Sequence, residues 1–289
     1  MSWQVLDLLN YEGKVSTERG AFSIDGRRVP LDSLSTALIG PKCSFSSGVP
    51  HHAAKHDVVV LFCDWRGLPL SALMPWSDNT RTGARMQAQA TLSEPRRKNA
   101  WMRVVKAKIT SQAKTLELAG KVVAAERLQD MSRRVRSGDP QNMEGQAARV
   151  LWNGLYGHLN FTRVPGADDA LNAAHNYGYT ILRGRVLTSI LGAGLTAGIG
   201  IFHRGRSNPF SLADDLIEPF RAVIDRAVLD LDPSELILDQ SSKKALIHAV
   251  RPLDIPEEGW RVDAEIDRFT ATFARYVEGD IERLEVPKV

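Results

Sequence analysis

Apolar and polar positions alternate with a period of two through the first quarter of the chain and with a helical period after it. Val15 to Leu31 breaks into short alternating pieces, with Asp25-Gly26 between two of them as a hairpin turn. Val58 to Asp64 is a β-branched, apolar run. Trp65-Arg66-Gly67 turns it, and Leu68 to Met74 returns. Pro75 to Thr82 has the composition of a linker. Arg85 to Thr91 then reads as a short helix. Pro95 opens a longer one through Trp101, Val104, Val105, Lys108, Ile109 and Gln112. Helical character continues from Glu117 to Arg136. Ser137-Gly-Asp-Pro140 breaks it, with Pro140 suited to the first turn of the next helix, which buries Met143, Ala147, Val150, Leu151 and Leu155. A further helix begins at Asp168 and runs, after a break, towards Leu195. The apolar tract from Val186 to Phe202 reads as buried helix ending at His203. Ser211 is placed as a helix cap with Asp214 at the capping-box position, and residues 262–284 form a last amphipathic helix.

The fold class implied is α+β, a small mostly β N-terminal domain followed by a larger all-α catalytic domain. The expected boundaries are 1–75 for the β domain, 76–94 for a linker and short helix, and 95–289 for the α domain.

Composition narrows the function classes. An apolar content of 43% supports a real core. Two cysteines without a paired motif point to a reducing, cytoplasmic setting. No apolar run is long enough for a membrane span, and no signal peptide is visible. Phosphate-loop, dinucleotide and nucleophile-elbow motifs are missing, which argues against an ATPase, a dinucleotide enzyme and an α/β-hydrolase. The net charge of +3 is uninformative until it is mapped. Residues 81–160 carry fifteen basic and six acidic groups, whereas residues 222–289 carry nine basic and fifteen acidic ones. That asymmetry suggests a local anion-binding face in the middle of the chain. Its candidates are Arg96, Arg97, Lys98, Arg103, Lys106, Lys108, Arg133, Arg134, Arg136, Arg183, Arg185, Arg204 and Arg206, of which some are expected to be solvated face residues only.

Three positions carry the candidate chemistry. Glu144 borders an apolar stripe and must be paired or metal-bound; pairing with a basic neighbour such as Arg149 is the simpler reading. His203 follows Ile199 to Phe202 and can offer an imidazole nitrogen, or merely sit at a helix end. Glu218, beyond the first turn of its helix, has Arg221 as a possible ion-pair partner; Asp214 and Asp215 read first as dipole compensation. One histidine with several carboxylates suits Mg²⁺ or Mn²⁺ better than structural zinc. A rival zinc set of Cys43, His52, His56 and Cys63 lacks paired spacing.

The segments Asn172 to Gly184, Gly200 to His203, Asn208 to Arg221, Met143-Glu144-Gly145 and Leu151 to Gly154 resemble the CRISPR-associated spacer-acquisition endonuclease/integrase family. The likeness covers essentially the whole chain and is nearest to the compact branch that accompanies single-protein RNA-guided effectors. It implies metal ligation and catalysis by Glu144, His203 and Glu218, with Asp214 a further candidate ligand and Ile217 standing where some relatives place an acid. It implies Mg²⁺ or Mn²⁺ as cofactor and insertion of short duplex DNA into a repeat array by 3′-hydroxyl attack on a phosphodiester. The partners implied are a second copy joined through the β domain and a small ferredoxin-like protein dimer completing a heterohexamer. Duplex DNA with 3′-hydroxyl ends and repeat DNA are its implied nucleic-acid partners, and the effector nuclease and a DNA-end-binding accessory protein are further candidates. A non-catalytic DNA-binding scaffold is the alternative.

Overall fold

The computed structural model describes residues 4–65, 69–75, 81–167, 169–250 and 261–289. The expected turn at Arg66-Gly67, the start of the return strand at Leu68, most of the linker and the helix start at Asp168 lie outside the described residues.

The N-terminal part is built from β1 (Gln4–Leu8), β2 (Gly13–Glu18), β3 (Ala21–Ile24), β4 (Arg27–Pro30), β5 (Leu34–Ile39), β6 (Cys43–Phe45), helix α1 (Gly48–Lys55), β7 (Val59–Cys63) and β8 (Pro69–Leu73). It forms two four-stranded sheets, ordered β1-β5-β7-β8 and β4-β3-β2-β6. The hairpin between β3 and β4 turns at Asp25-Gly26. Both residues have positive φ, 49° and 77°, as a tight primed turn requires. β5 and β7 pair in parallel and are apolar on both faces. One face, with Ala37, Ile39 and Val60, joins Val15, Phe22 and Leu31 in the small domain's core. The other, with Leu38, Val59, Leu61 and Cys63, takes Leu191 from the helical part. The helix α1 interrupts the β pattern and was not expected from the sequence. It buries Val49 and Ala53.

The larger part contains α2 (Thr82–Thr91), α3 (Glu94–Leu118), α4 (Val122–Arg134), α5 (Met143–Tyr156), α6 (Ala170–Gly192), α7 (Ser211–Leu216), a 3₁₀ turn at Glu218–Phe220, α8 (Arg221–Leu229), α9 (Gln240–Val250) and α10 (Val262–Glu278). α3 is the central element, packing on α4, α5, α7, the 3₁₀ turn and α8. It buries Ala100, Trp101, Val104, Val105, Ile109, Gln112 and Leu116, and Lys108 lies in the same stripe. α6 crosses α8 at Gly178, where an added Cβ would lie 2.5 Å from Ile224 Cγ2.

Several expected boundaries are corrected. The helical stretch from Glu117 to Arg136 is two elements, because the chain turns at Gly120 with φ +71° before α4 begins. Pro140 precedes α5 and is not in its first turn. Asn142 caps the helix by accepting from Gly145 N at 3.1 Å, and Asp139 accepts from Met143 N and Glu144 N. α6 is unbroken to Gly192, and the tract after it is irregular, so His203 does not end a helix. Glycines at 194, 198 and 200 work against helix there, and Gly194 adopts φ +64°. Ser211 is the first residue of α7; its side chain makes no capping bond and donates to Asn208 O. α10 stops at Glu278, where Gly279 takes φ +91°.

Candidate active site

Two acids from different elements meet on α3. Glu144 stands in the first turn of α5, and Glu218 opens the 3₁₀ turn after α7. Lys108 projects from the buried stripe of α3 between them. Its Nζ hydrogen-bonds Glu144 Oε1 and lies 2.5 Å from Glu218 Oε2 as an ion pair without a well-aligned hydrogen bond. The other oxygen, Glu218 Oε1, accepts from Arg221 Nε at 2.9 Å.

Burial opposes charge on Glu218, but the charges of Arg221 and Lys108 outweigh it and hold the carboxyl down at about 2. Burial likewise works against the Lys108 ammonium, and Glu218 and Glu144 outweigh it and raise its pKa. This is a buried ionic cluster whose members depend on one another.

His203 reaches the same neighbourhood from the irregular tract. Asp215, completely buried in α7, organises that approach. Asp215 Oδ2 accepts from Ile201 N at 2.6 Å and Phe202 N at 3.0 Å. Asp215 Oδ1 accepts from His203 N at 3.1 Å and meets His203 Nδ1 at 2.7 Å. Burial draws Asp215 above the usual carboxylate range, and the donors around it limit the rise. The hydrogen bond that His203 donates to Asp215, then the charges of Asp215, Glu218 and Asp214, raise the pKa of His203 against the opposing effect of burial. Phe202 stacks on Trp101 with centroids 4.3 Å apart, and Trp101 meets the imidazole edge-on. The His203 side chain is 42% exposed, and with Nδ1 engaged by Asp215 its Nε2 is the ring nitrogen left to meet a ligand. Gly200 permits the close turn: a Cβ there would lie 2.4 Å from His203 O and 2.7 Å from Asp215 Oδ2.

Glu144 and Glu218 are therefore joined by one cation, and His203 lies near enough for the charge of Glu218 to help raise its pKa. Among the described residues, no three His, Cys, Asp or Glu side chains are grouped so that they could hold a metal ion. The donor set nevertheless fits a hard divalent ion in its chemistry, since two carboxylates already converge on a positive centre beside an accessible imidazole. Asp214 turns elsewhere. Arg183 clamps it with contacts of 2.6 and 3.0 Å, and Asn208 donates to it at 2.6 Å. The shared helical face expected for Asp214 and Glu218 is broken because α7 ends at Leu216.

The basic residues divide in the same way. Lys108 and Arg185 are buried and committed within the protein, which corrects their expected place on a nucleic-acid face. Arg185 pairs with Asp267 at 2.5 Å. Arg96 donates to Tyr276 O and Ile281 O and covers the Tyr276 ring, and Arg183 is engaged by Asp214. Lys98, Arg133, Arg134, Arg136, Arg204 and Arg206 are exposed, and Arg97, Arg103 and Lys106 are half-buried. The rival zinc set is not assembled: His56 pairs with Asp32 at 2.6 Å, and Cys43 makes contacts to Leu8 O and Tyr11 O.

Comparison with known proteins identifies the family. The family described as CRISPR associated protein Cas1 matches residues 11–246. A protein of Neisseria meningitidis named CRISPR-associated endonuclease Cas1 is 31% identical, covering all of this chain and 97% of the relative. One from Pyrobaculum aerophilum is 30% identical, covering 90% of this chain and 92% of the relative. Among solved structures, a CAS1 protein from Thermotoga maritima superposes with a TM-score of 0.69 at 15% identity, over 96% of this chain and 97% of that one. A casposase bound to integration product gives 0.67 at 20% identity, over 100% and 94%. With its β domain leading into an α-helical part and matches that run nearly end to end, the chain belongs to the Cas1 family of CRISPR-associated proteins.

Proposed function

We propose that this chain is a divalent-metal-dependent DNA endonuclease/integrase that inserts short duplex DNA into a CRISPR repeat array. The observation that carries the reading is the convergence of Glu144 and Glu218, from separate elements, on one buried cation beside an exposed histidine. The names of relatives support it: one is an endonuclease, and one solved neighbour is bound to an integration product.

Glu144, Glu218 and the Nε2 of His203 would hold Mg²⁺ or Mn²⁺. The ion, when bound, supplies a Lewis acid for the phosphate and lowers the pKa of the attacking hydroxyl. Arg221 keeps Glu218 ionised and fixes its Oε1 edge, leaving Oε2 towards the cradle. Asp215 sets the imidazole orientation through Nδ1. Trp101 and Phe202 wall one side of the ring and restrict its rotation. The exposed Arg204 and Arg206 follow His203 in sequence and offer charge to a phosphate backbone. Lys98, Arg133, Arg134 and Arg136 extend that charge. A 3′-hydroxyl exchanging one phosphodiester for another needs no covalent protein intermediate and no nucleotide hydrolysis. Asp214 is left to position Arg183 and Asn208, outside the ligand set.

The assembly proposed pairs two copies through the β domain and adds a small ferredoxin-like partner dimer. Solved neighbours described as Cas6-RT-Cas1–Cas2 complexes support that class of partner. The effector nuclease and a DNA-end-binding protein are further proposed associates in the cytoplasm. Among the described residues no helix is long and apolar enough to cross a membrane.

The test is strand transfer of a short 3′-hydroxyl duplex into a supercoiled repeat-bearing plasmid, with Mn²⁺ and the small partner. Glu144→Ala, His203→Ala and Glu218→Ala are expected to abolish transfer and retain duplex binding. Normal Mn²⁺-dependent transfer by all three variants overturns the assignment of these residues, and metal-independent duplex binding with no transfer by the wild type assigns the chain to the scaffold class.

A further inference from the structure

We propose that Lys108 is a two-seat internal cation: its ammonium holds Glu144 and Glu218 together when no divalent ion is bound, and transfers to Asp225 when an ion takes those carboxylates. The inference rests on the metal-dependent reading above and goes beyond it by giving the site a resident competitor.

The first seat is the observed one. Lys108 is buried in α3, and both acids meet its Nζ. Two ionised carboxylates that close repel each other unless a positive charge lies between them. Among the described residues, Lys108 is the side chain that hydrogen-bonds the Glu144 carboxylate. Glu218 has a second anchor in Arg221, on the opposite oxygen. Departure of the lysine thus releases Glu144 Oε1 and Glu218 Oε2 and leaves Glu218 in place. The ion pair to Glu218 Oε2 is poorly aligned for hydrogen bonding, so that seat is imperfect.

The second seat comes from an independent observation. Asp225 is almost fully buried in α8, which packs against α3. Its Oδ1 accepts from the Tyr179 hydroxyl, while Oδ2 is buried with no hydrogen-bond partner among the described residues. A buried carboxylate oxygen without a donor is costly and calls for one. Burial raises the Asp225 pKa, and the Tyr179 hydrogen bond, then the charges of Arg221 and Lys108, oppose the rise. A lysine's four-carbon stem and freely rotating ammonium suit a move between neighbouring acceptors.

The probe is Mn²⁺ alone, on the full chain, with affinity from electron paramagnetic resonance of the free ion and thermal unfolding with and without Mn²⁺. Lys108→Met is expected to lower the metal-free Tm by roughly 5 °C or more. It should bind Mn²⁺ about tenfold more tightly and show a larger Mn²⁺-induced Tm gain than wild type. Asp225→Asn removes the charge of the second seat and should bind Mn²⁺ about tenfold more weakly, with no loss of metal-free Tm at neutral pH. Weaker Mn²⁺ binding by Lys108→Met, or unchanged binding by Asp225→Asn, overturns the proposal and leaves the metal site standing. Should Lys108→Met fail to fold, the Asp225→Asn affinity alone decides. Absence of Mn²⁺ binding by wild type overturns the metal-dependent reading, and the lysine proposal with it.

Discussion

His203 Nδ1 lies 2.7 Å from Asp215 Oδ1, and the same oxygen accepts the His203 main-chain N–H. One carboxylate thus fixes both the ring and the backbone that carries it. Asp215→Asn is expected to return the His203 titration towards that of an ordinary imidazole, read by NMR across pH 5 to 9. The sign follows from linkage. The folded pKa of His203 is raised, so its contribution to stability is complete below the unfolded value of about 6.5 and is lost as pH rises through the folded one. The variant should flatten that part of the stability profile.

Glu218 gives the opposite dependence. Its folded pKa of about 2 lies below the unfolded value, so its contribution is present above about 4.5 and is lost as pH falls towards 2. Glu218→Gln keeps an acceptor but leaves Lys108 and Arg221 with less compensating charge. A loss of about 3 kcal/mol is expected from urea unfolding at pH 7, shrinking as the pH is lowered.

His175 and Asp225 face each other at 3.8 Å inside the helical core and work against one another. Burial holds His175 down at about 4, so its contribution to stability is lost as pH falls from about 6.5 to 4. Burial pushes Asp225 up to about 6, so its contribution is lost as pH rises from about 3.8 to 6. The two slopes oppose each other between pH 4 and 6. Asp225→Asn removes one of them, and its denaturant midpoint should fall more steeply with acid than that of wild type over this window.

Gly178 tests the packing that sets α6 against α8. Gly178→Ala drives a methyl into Ile224 Cγ2 and should cost about 1–3 kcal/mol. Combined with Ile224→Ala, the loss should be less than the sum of the two single losses, by thermal or chemical unfolding.

Legibility in the sequence followed how local the signal was. The Asp25-Gly26 hairpin and the buried stripe of α3 are local patterns and could be read directly. Arg221 was legible as Glu218's partner because it lies three residues away on the next turn. Lys108 falls by composition among the phosphate-facing cations, yet it stands four residues after Val104 and four before Gln112, all three buried. That phase was the available clue that its charge is internal. Asp215 gave no such clue, since its donors come from a tract whose path only tertiary packing decides. The same tract has the apolar content of a helix, and its glycines at 194, 198 and 200 decide against one.

Before it reaches His203, that tract has another fastening. The Gln89 side chain donates to Thr196 O and Ile199 O and accepts from Thr196 N. A neutral amide therefore secures the near end, while an ionised carboxylate secures the far end at 201–203. Loss of the Asp215 side chain would then free the far end alone, like a door taken off one of two hinges, and the imidazole could drift from the acids while the chain up to residue 199 stays pinned.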